Sequence, residues 1–249
     1  MKLLRLEFFK CRRRKIALVC AAVLAAELLW FGAYLARQDA GDLAQGWMLL
    51  FYNLALIDAI FLPVSVAVIA SRNCELEHKG TTLKLLETLA APGRLYGAKL
   101  VWGALVLAAL LAVRSAAFAA MGAAAHFPGE IPWGRFALFT VISWAVSMMV
   151  FALQQGLSLR FANQAASLVC GISGSFLGTL SMLFPDWLVR FVPWGYYGLL
   201  SLARMDWDPE TQFSQFFWRW PQAGDVALLL CWAALFFAVG RTLFVRKEV

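Results

Sequence analysis

Residues 72–99, RNCELEHKGTTLKLLETLAAPGRLYGAK, decide how this chain is read. Arg72, Glu75, Glu77, His78, Lys79, Lys84, Glu87, Arg94, Lys99 and the phenol of Tyr96 crowd into one short stretch between two long apolar runs. A connection between two membrane helices needs only a few polar residues. This one is long, mixed in charge and punctuated by Gly80, Pro92, Gly93 and Gly97. It reads as a surface that another molecule pushes against.

The flanking runs set the class. The chain has 249 residues, 62% of them hydrophobic and 15% charged, with a mean hydropathy of +0.71. Soluble domains run at about 45–50% apolar and about 25% charged. The apolar residues fall in blocks, and a helix needs roughly 20 of them to cross a bilayer, where lipid offers the backbone no hydrogen-bond partner. Six blocks qualify: 16–36, 47–70, 97–121, 135–156, 164–184 and 225–245. The roughly ten-residue alternation of a membrane β-barrel is absent. The expectation is an all-α, polytopic membrane protein of six transmembrane helices forming one domain, residues 1–249.

The formal net charge of +7 does not point to nucleic acid. Lys2, Arg5, Lys10, Arg12, Arg13, Arg14 and Lys15 precede the first block, and further cations fall in 72–99, at Arg160, Arg241, Arg246 and Lys247. The alternate connections carry Arg37, Arg135, Arg190, Arg204 and Arg219, offset by seven carboxylates from Asp39 to Glu210. That asymmetry predicts both termini in the cytosol and contact with anionic lipid. On this topology Cys11, Cys20, Cys74, Cys170 and Cys231 all lie in cytosolic or membrane positions, with no CxxC, so neither a disulfide framework nor a zinc site is expected.

Residues 1–15 set Leu3, Leu4, Leu6, Phe8 and Phe9 among cations, which suits either a helix lying along the membrane surface or a plain basic flank. In the fifth block, Gly174 and Gly178 form a small-xxx-small pair for close packing, more within the chain than between chains. Residues 185–224 hold Trp187, Phe191, Trp194, Tyr196, Tyr197, Trp207 and further aromatics. They predict short helices in or on the outer leaflet, broken at Pro193 and Pro209, acting as an outer gate or as a packed cap.

Glu27, Asp58 and Arg114 fall well inside the first three blocks, at similar depths. A lone charge there costs about 2.5–3.5 kcal/mol on insertion scales, so Arg114 is expected to pair with Glu27, Asp58 or both. Either an ionic clamp or a substrate or proton path follows. Gln154 and Gln155 are read as interfacial. Catalytic motifs are missing: there is no GxxxxGK[ST] phosphate loop, no GxSxG, no HExxH, and His78 and His126 fall on opposite sides of the membrane.

Glu77-His78-Lys79-Gly80-Thr81, then Leu85-Leu86, Pro92, Arg94 and Lys99, resemble the E-x-x-G-T … LL … P-x-R … K pattern of ABC-2 type permease subunits. Phe191-Val192-Pro193-Trp194-Gly195-Tyr196 resembles the outer segment of the branch that protects bacteria from lantibiotics and bacitracin. The resemblance implies a type V exporter-like permease fold in the bacterial cytoplasmic (inner) membrane, with an amphipathic N-terminal interfacial helix and an outer re-entrant segment before the sixth span. It further implies a cytosolic ABC ATPase dimer holding ATP and magnesium, no cofactor on this chain, and a second permease, identical or related. The cytosolic coupling segment, 71–96, would place Glu75, Glu77, His78, Lys79, Gly80 and Thr81 against the ATPase. Leu83, Leu86 and Ala90 would face the bilayer or a neighbouring helix, and Pro92-Gly93 would end the coupling helix. The cargo implied is an amphipathic peptide or lipid-like molecule, exported as in antimicrobial peptide resistance. The rival expectations are an ion-coupled transporter or channel using Glu27, Asp58 and Arg114, and a membrane assembly factor without flux.

Overall fold

The computed structural model describes residues 2–11, 15–38, 40–78, 91–208 and 213–246. Helices dominate: α1 (Lys2–Cys11), α2 (Ile16–Leu35), α3 (Ala40–Leu43), α4 (Gly46–His78), α5 (Pro92–Ala124), α6 (Trp133–Arg160), α7 (Ala165–Ser181), α8 (Asp186–Val189), a 3-10 turn (Pro193–Gly195), α9 (Tyr196–Leu199) and α10 (Ala223–Val245). Between α9 and α10 lie two strands, β1 (Ala203–Asp208) and β2 (Phe213–Trp218).

Among the described residues five helices, α2, α4, α5, α6 and α10, are long and apolar enough to cross a membrane. The chain is therefore a multi-pass, mostly helical membrane protein. The sixth expected span is α7, whose 17 helical residues fall short of that length. It is bedded against α4, where Gly171 meets Ala67 and the carbonyl of Pro63.

The layering follows from burial. The most apolar window of α4 is 72% buried, that of α6 50%, and those of α2 and α10 only 17%. Helix α4 is thus the axis, α6 and α7 pack beside it, and α2 and α10 show most of their surface outward. An apolar outward face is the stable state in lipid, where nothing drives such residues inward. Helix α10 crosses α6 at Gly156 and Gly240, where a methyl group on Gly156 would stand 3.2 Å from the Gly240 backbone. Two facing glycines let the backbones touch. Pro63 sits inside α4, and neighbouring carbonyls find side-chain donors: Ser175 Oγ donates to Ile60 O (2.6 Å) and Ser65 Oγ to Phe61 O (2.7 Å).

Two expectations are corrected. A third, the coupling helix that Pro92-Gly93 would end, falls on residues 79–90 outside those described; what the structure shows is that Pro92 opens α5, five residues before the expected third block at 97. Proline's fixed φ and missing N–H suit the first helical position as well as they oppose the interior. Gln154 and Gln155 are not interfacial but 0% exposed, the Gln155 amide donating to Tyr96 O (3.0 Å). The aromatic segment is not wholly helical, so an all-α description fails there. Strands β1 and β2 pair antiparallel in the register Ala203↔Trp218, Met205↔Phe216 and Trp207↔Ser214. One face of this hairpin docks on α4, with Trp218 against Phe51 (5.4 Å) and Phe216 against Tyr52 (5.6 Å). The Phe216 N–H donates to Gln45 Oε1 (3.0 Å).

Candidate functional site

The first site is a charged layer buried within the bundle. Glu27 on α2, Asp58 on α4 and Arg114 on α5 are 1%, 1% and 3% exposed. Arg114 Nε donates to Glu27 Oε2 at 2.7 Å. Its Nη2 makes an ion pair with Asp58 Oδ1, without the alignment of a hydrogen bond. From α6, Ser143 Oγ donates to the other Asp58 oxygen at 2.5 Å. Four helices therefore meet at one guanidinium.

Helical spacing builds what lies beside it. Phe118 follows Arg114 by four residues and Phe31 follows Glu27 by four, so an aromatic layer forms one turn on. The Arg114 guanidinium carbon stands 5.4 Å from the Phe118 ring centre, and Phe118 meets Phe31 edge-on at 5.6 Å. On α6, Ser147 follows Ser143 by four and shares a hydrogen bond with the Tyr197 hydroxyl (3.1 Å). Two carboxylates on one guanidinium leave one formal negative charge, and Glu27 Oε1 has no hydrogen-bond partner.

The second site lies at the end of the bundle that carries both termini. Lys99, at the start of the third expected block, lies in α5 and is 2% exposed. Its ammonium bonds Glu7 Oε2 on α1 (2.9 Å) and Asn73 O on α4 (3.0 Å). Asn73 returns a hydrogen bond to Lys99 O (3.4 Å) and accepts one from the Cys11 thiol (3.6 Å). Helix α1 is thereby locked to α4 and α5. One turn further on, half-buried His78 places Nε2 2.8 Å from Ser158 O near the end of α6. Glu75 sits half-buried on the same last turns of α4. The side chain of Glu77 and the whole of Lys79, Gly80, Thr81, Leu83, Leu86 and Ala90 lie outside the described residues.

The third cluster is the aromatic segment at the opposite end. Trp194 lies on Gly174 and Gly178, where any larger residue on α7 would collide with the indole. That pair serves packing within the chain. Tyr196 is buried and donates to Arg190 O (3.1 Å); Tyr197 reaches inward to Ser147. Trp187, by contrast, is 63% exposed. Arg190 pairs with Asp225 at the start of α10 (2.7 Å). Asp186 receives Arg204 (2.7 Å) from β1 and Arg219 (3.1 Å) just past β2. Partial burial raises the affinity of Asp186 for a proton, but the bonds and charges of Arg204 and then Arg219 outweigh it and hold the carboxyl below its ordinary range. Arg135 on α6 stacks over Trp218 (3.9 Å) and nears Trp220 (5.3 Å). The segment is strapped down on three sides.

Sequence reasoning paired Arg114 with its carboxylates but missed Ser143, the Glu7–Lys99 bridge and the Asn73 knot. The signals were there: two serines four apart in an apolar helix, and a lone acid among the cations of the leader. The five cysteines are thiols rather than disulfides, and no group of metal-ligating side chains occurs among the described residues.

No curated protein matches the chain at a significant level. A family model described as "ABC-2 family transporter protein" matches residues 3–178, which takes in α1 to most of α7 and stops before the aromatic segment. With the helix lengths and the family match together, the chain belongs to the ABC-2 family of transporter proteins, the membrane components of ABC transporters.

Proposed function

We propose that this chain is the permease half of an ATP-driven exporter, moved by a separate ATPase that seats on the segment beginning at Glu75. Helix α4 carries the proposal. It runs as one element from the hairpin-bearing end, through Asp58 in the charged layer, to His78 at the edge of the charged segment. Twenty residues of helix span about 30 Å, so a push at Glu75 and His78 is delivered to the layer that ties α2, α5 and α6 together. Pro63 lies between the two ends, where the helix has lost one backbone bond and bends most easily.

The ATPase contact comprises Glu75, Glu77, His78, Lys79, Gly80 and Thr81, whose mixed charge suits a polar, oriented interface. Two permeases, identical or related, face each other across the cargo path in the bacterial cytoplasmic membrane with both termini cytosolic. The cargo is an amphipathic peptide or lipid-like molecule that enters from the membrane. The exposed, apolar faces of α2 and α10 support that route over a wide aqueous vestibule. Export is favoured because no docking surface for a periplasmic binding protein is evident in the sequence. A strain lacking the chain should become more sensitive to lantibiotics or bacitracin, and unaltered sensitivity to both would remove the peptide-protection reading.

The Glu27–Arg114–Asp58 layer acts in this account as a clamp. Its burial at 1–3% exposure supports that role. The surplus negative charge favours a second reading, in which an ion or proton is carried there without an ATPase. Transport by purified protein in vesicles distinguishes them: dependence on added ATP and a partner ATPase supports the first, and dependence on an imposed ion gradient alone supports the second.

A further inference from the structure

Helices α1, α2 and α5 line an open cleft of about 500 Å³. Every residue lining it is apolar except Lys15 and the thiols of Cys11 and Cys20. The volume falls in the range of ligand-holding sites, about 300–1,000 Å³. Its walls are fixed rather than loose. The Glu7–Lys99 bridge and the Cys11–Asn73 hydrogen bond anchor α1 behind it, and Phe8 meets Trp102 edge-on at 6.4 Å within its lining.

The dimensions point to one kind of occupant. Along α2 the lining runs from Lys15 to Leu24, and along α5 from Trp102 to Val113. At 1.5 Å per residue these are lengths of about 15 Å, half of a hydrocarbon core about 30 Å thick. The cleft is therefore one leaflet deep, and it stops one turn short of Glu27 and beside Arg114. Among the described residues that line it, one is a cation, Lys15. Lys15 is exposed and adopts a left-handed backbone (φ 54°), which breaks the chain between α1 and α2 at the water boundary.

We infer that this cleft is a binding site for one acyl chain of an anionic phospholipid, whose headgroup phosphate pairs with Lys15. Charge complementarity selects the lipid: an ammonium at a membrane surface attracts a net negative headgroup over a zwitterionic one. The site is separate from the ATPase contact that begins at Glu75, and it gives α1 a reason to be locked in place beside an otherwise bare α2.

The test uses the full chain in vesicles of phosphatidylcholine containing a trace of phosphatidylglycerol with a photoreactive group halfway along one acyl chain. After illumination, cross-links are mapped by peptide mass spectrometry. The expected result is enrichment on residues 16–24 and 102–113 over the equally apolar surface of α10. Lys15→Gln should lower that labelling about fivefold, the effect of one cation near a membrane surface. Ala109→Trp, which fills the cleft from an exposed position on α5, should abolish the enrichment while labelling of α10 is unchanged. The same probe on phosphatidylcholine should show little enrichment and no response to Lys15→Gln. Uniform labelling around the bundle, equal labelling by both lipids, or indifference to Ala109→Trp would overturn the inference.

Discussion

Replacing Arg114 with leucine removes the one cation that holds two buried carboxylates. Glu27 then keeps no hydrogen-bond partner among the described residues, because Oε2 bonds only Arg114 and Oε1 has no hydrogen bond. Asp58 keeps Ser143 alone. Removing one member of a buried ionic group costs about 3–5 kcal/mol, since the remaining charge stays desolvated. For a chain of this size each kcal/mol moves the midpoint of unfolding by about 2–4 °C, so Arg114→Leu should lower it by roughly 6–20 °C. The triple variant Glu27→Leu, Asp58→Leu, Arg114→Leu strands no charge, and such apolar replacements are often neutral or stabilising by about 1–4 kcal/mol. Thermal unfolding of the purified chain in detergent, followed by tryptophan fluorescence, reads both. If Arg114→Leu unfolds within a degree or two of the parent, or if the triple variant is as unstable as the single, the clamp is wrong. Transport separates the remaining roles. The account expects the triple variant to transport; lost transport with normal stability would assign the charges to the cargo or ion path.

Other perturbations have equally definite outcomes. Lys99→Met leaves buried Glu7 with Lys10 alone among the described residues (3.3 Å) and should destabilise by about 1–3 kcal/mol, and adding Glu7→Leu should recover most of it; proteolysis of α1 reports the release of the leader. Gly174→Leu drives a side chain into the Trp194 indole and should cost about 1–3 kcal/mol, relieved by Trp194→Ala. Arg135→Ala removes the cation stacked on Trp218, worth about 0.5–2 kcal/mol, and should raise hydrogen exchange in 213–218 without altering α7. Because Asp186 is held below its ordinary range, near 3.9 for an aspartate, its contribution is complete above that value and fades as pH falls through the lower folded-state value. Exchange in 203–208 and 213–219 should therefore be flat from pH 5 to 8 and rise only below about pH 4, a step that Asp186→Asn removes.

Much of the bundle was legible because lipid imposes a coarse rule: apolar blocks of spanning length must be helices. The pairing of Arg114 was legible for the same reason, since a charge in such a block demands a partner. The errors fall where that rule is silent. Lys99 falls at the predicted start of the third block, but its partner lies 92 positions earlier, a contact no local pattern encodes. Gln154 and Gln155 sit at a predicted boundary, where the sequence cannot distinguish water from a neighbouring helix's backbone. Aromatic density in 203–218 signals an interface but not a backbone shape. The antiparallel hairpin follows from Phe51, Tyr52 and Gln45, which offer docking partners more than 150 residues away in the chain. Trp187 and Tyr197 looked alike in sequence; one is exposed and the other is buried against α6.

The most direct test of the whole account asks whether an engine docks at the end of α4. A photoreactive residue placed at Glu75 or His78 in the full chain, illuminated in native membranes, should cross-link to a protein whose sequence carries a GxxxxGK[ST] phosphate loop. The purified pair should hydrolyse ATP, and Glu77→Lys should uncouple that hydrolysis from transport. Cross-links only to lipid or to this chain, with transport unaffected by Glu77→Lys and by ATP depletion, would contradict it.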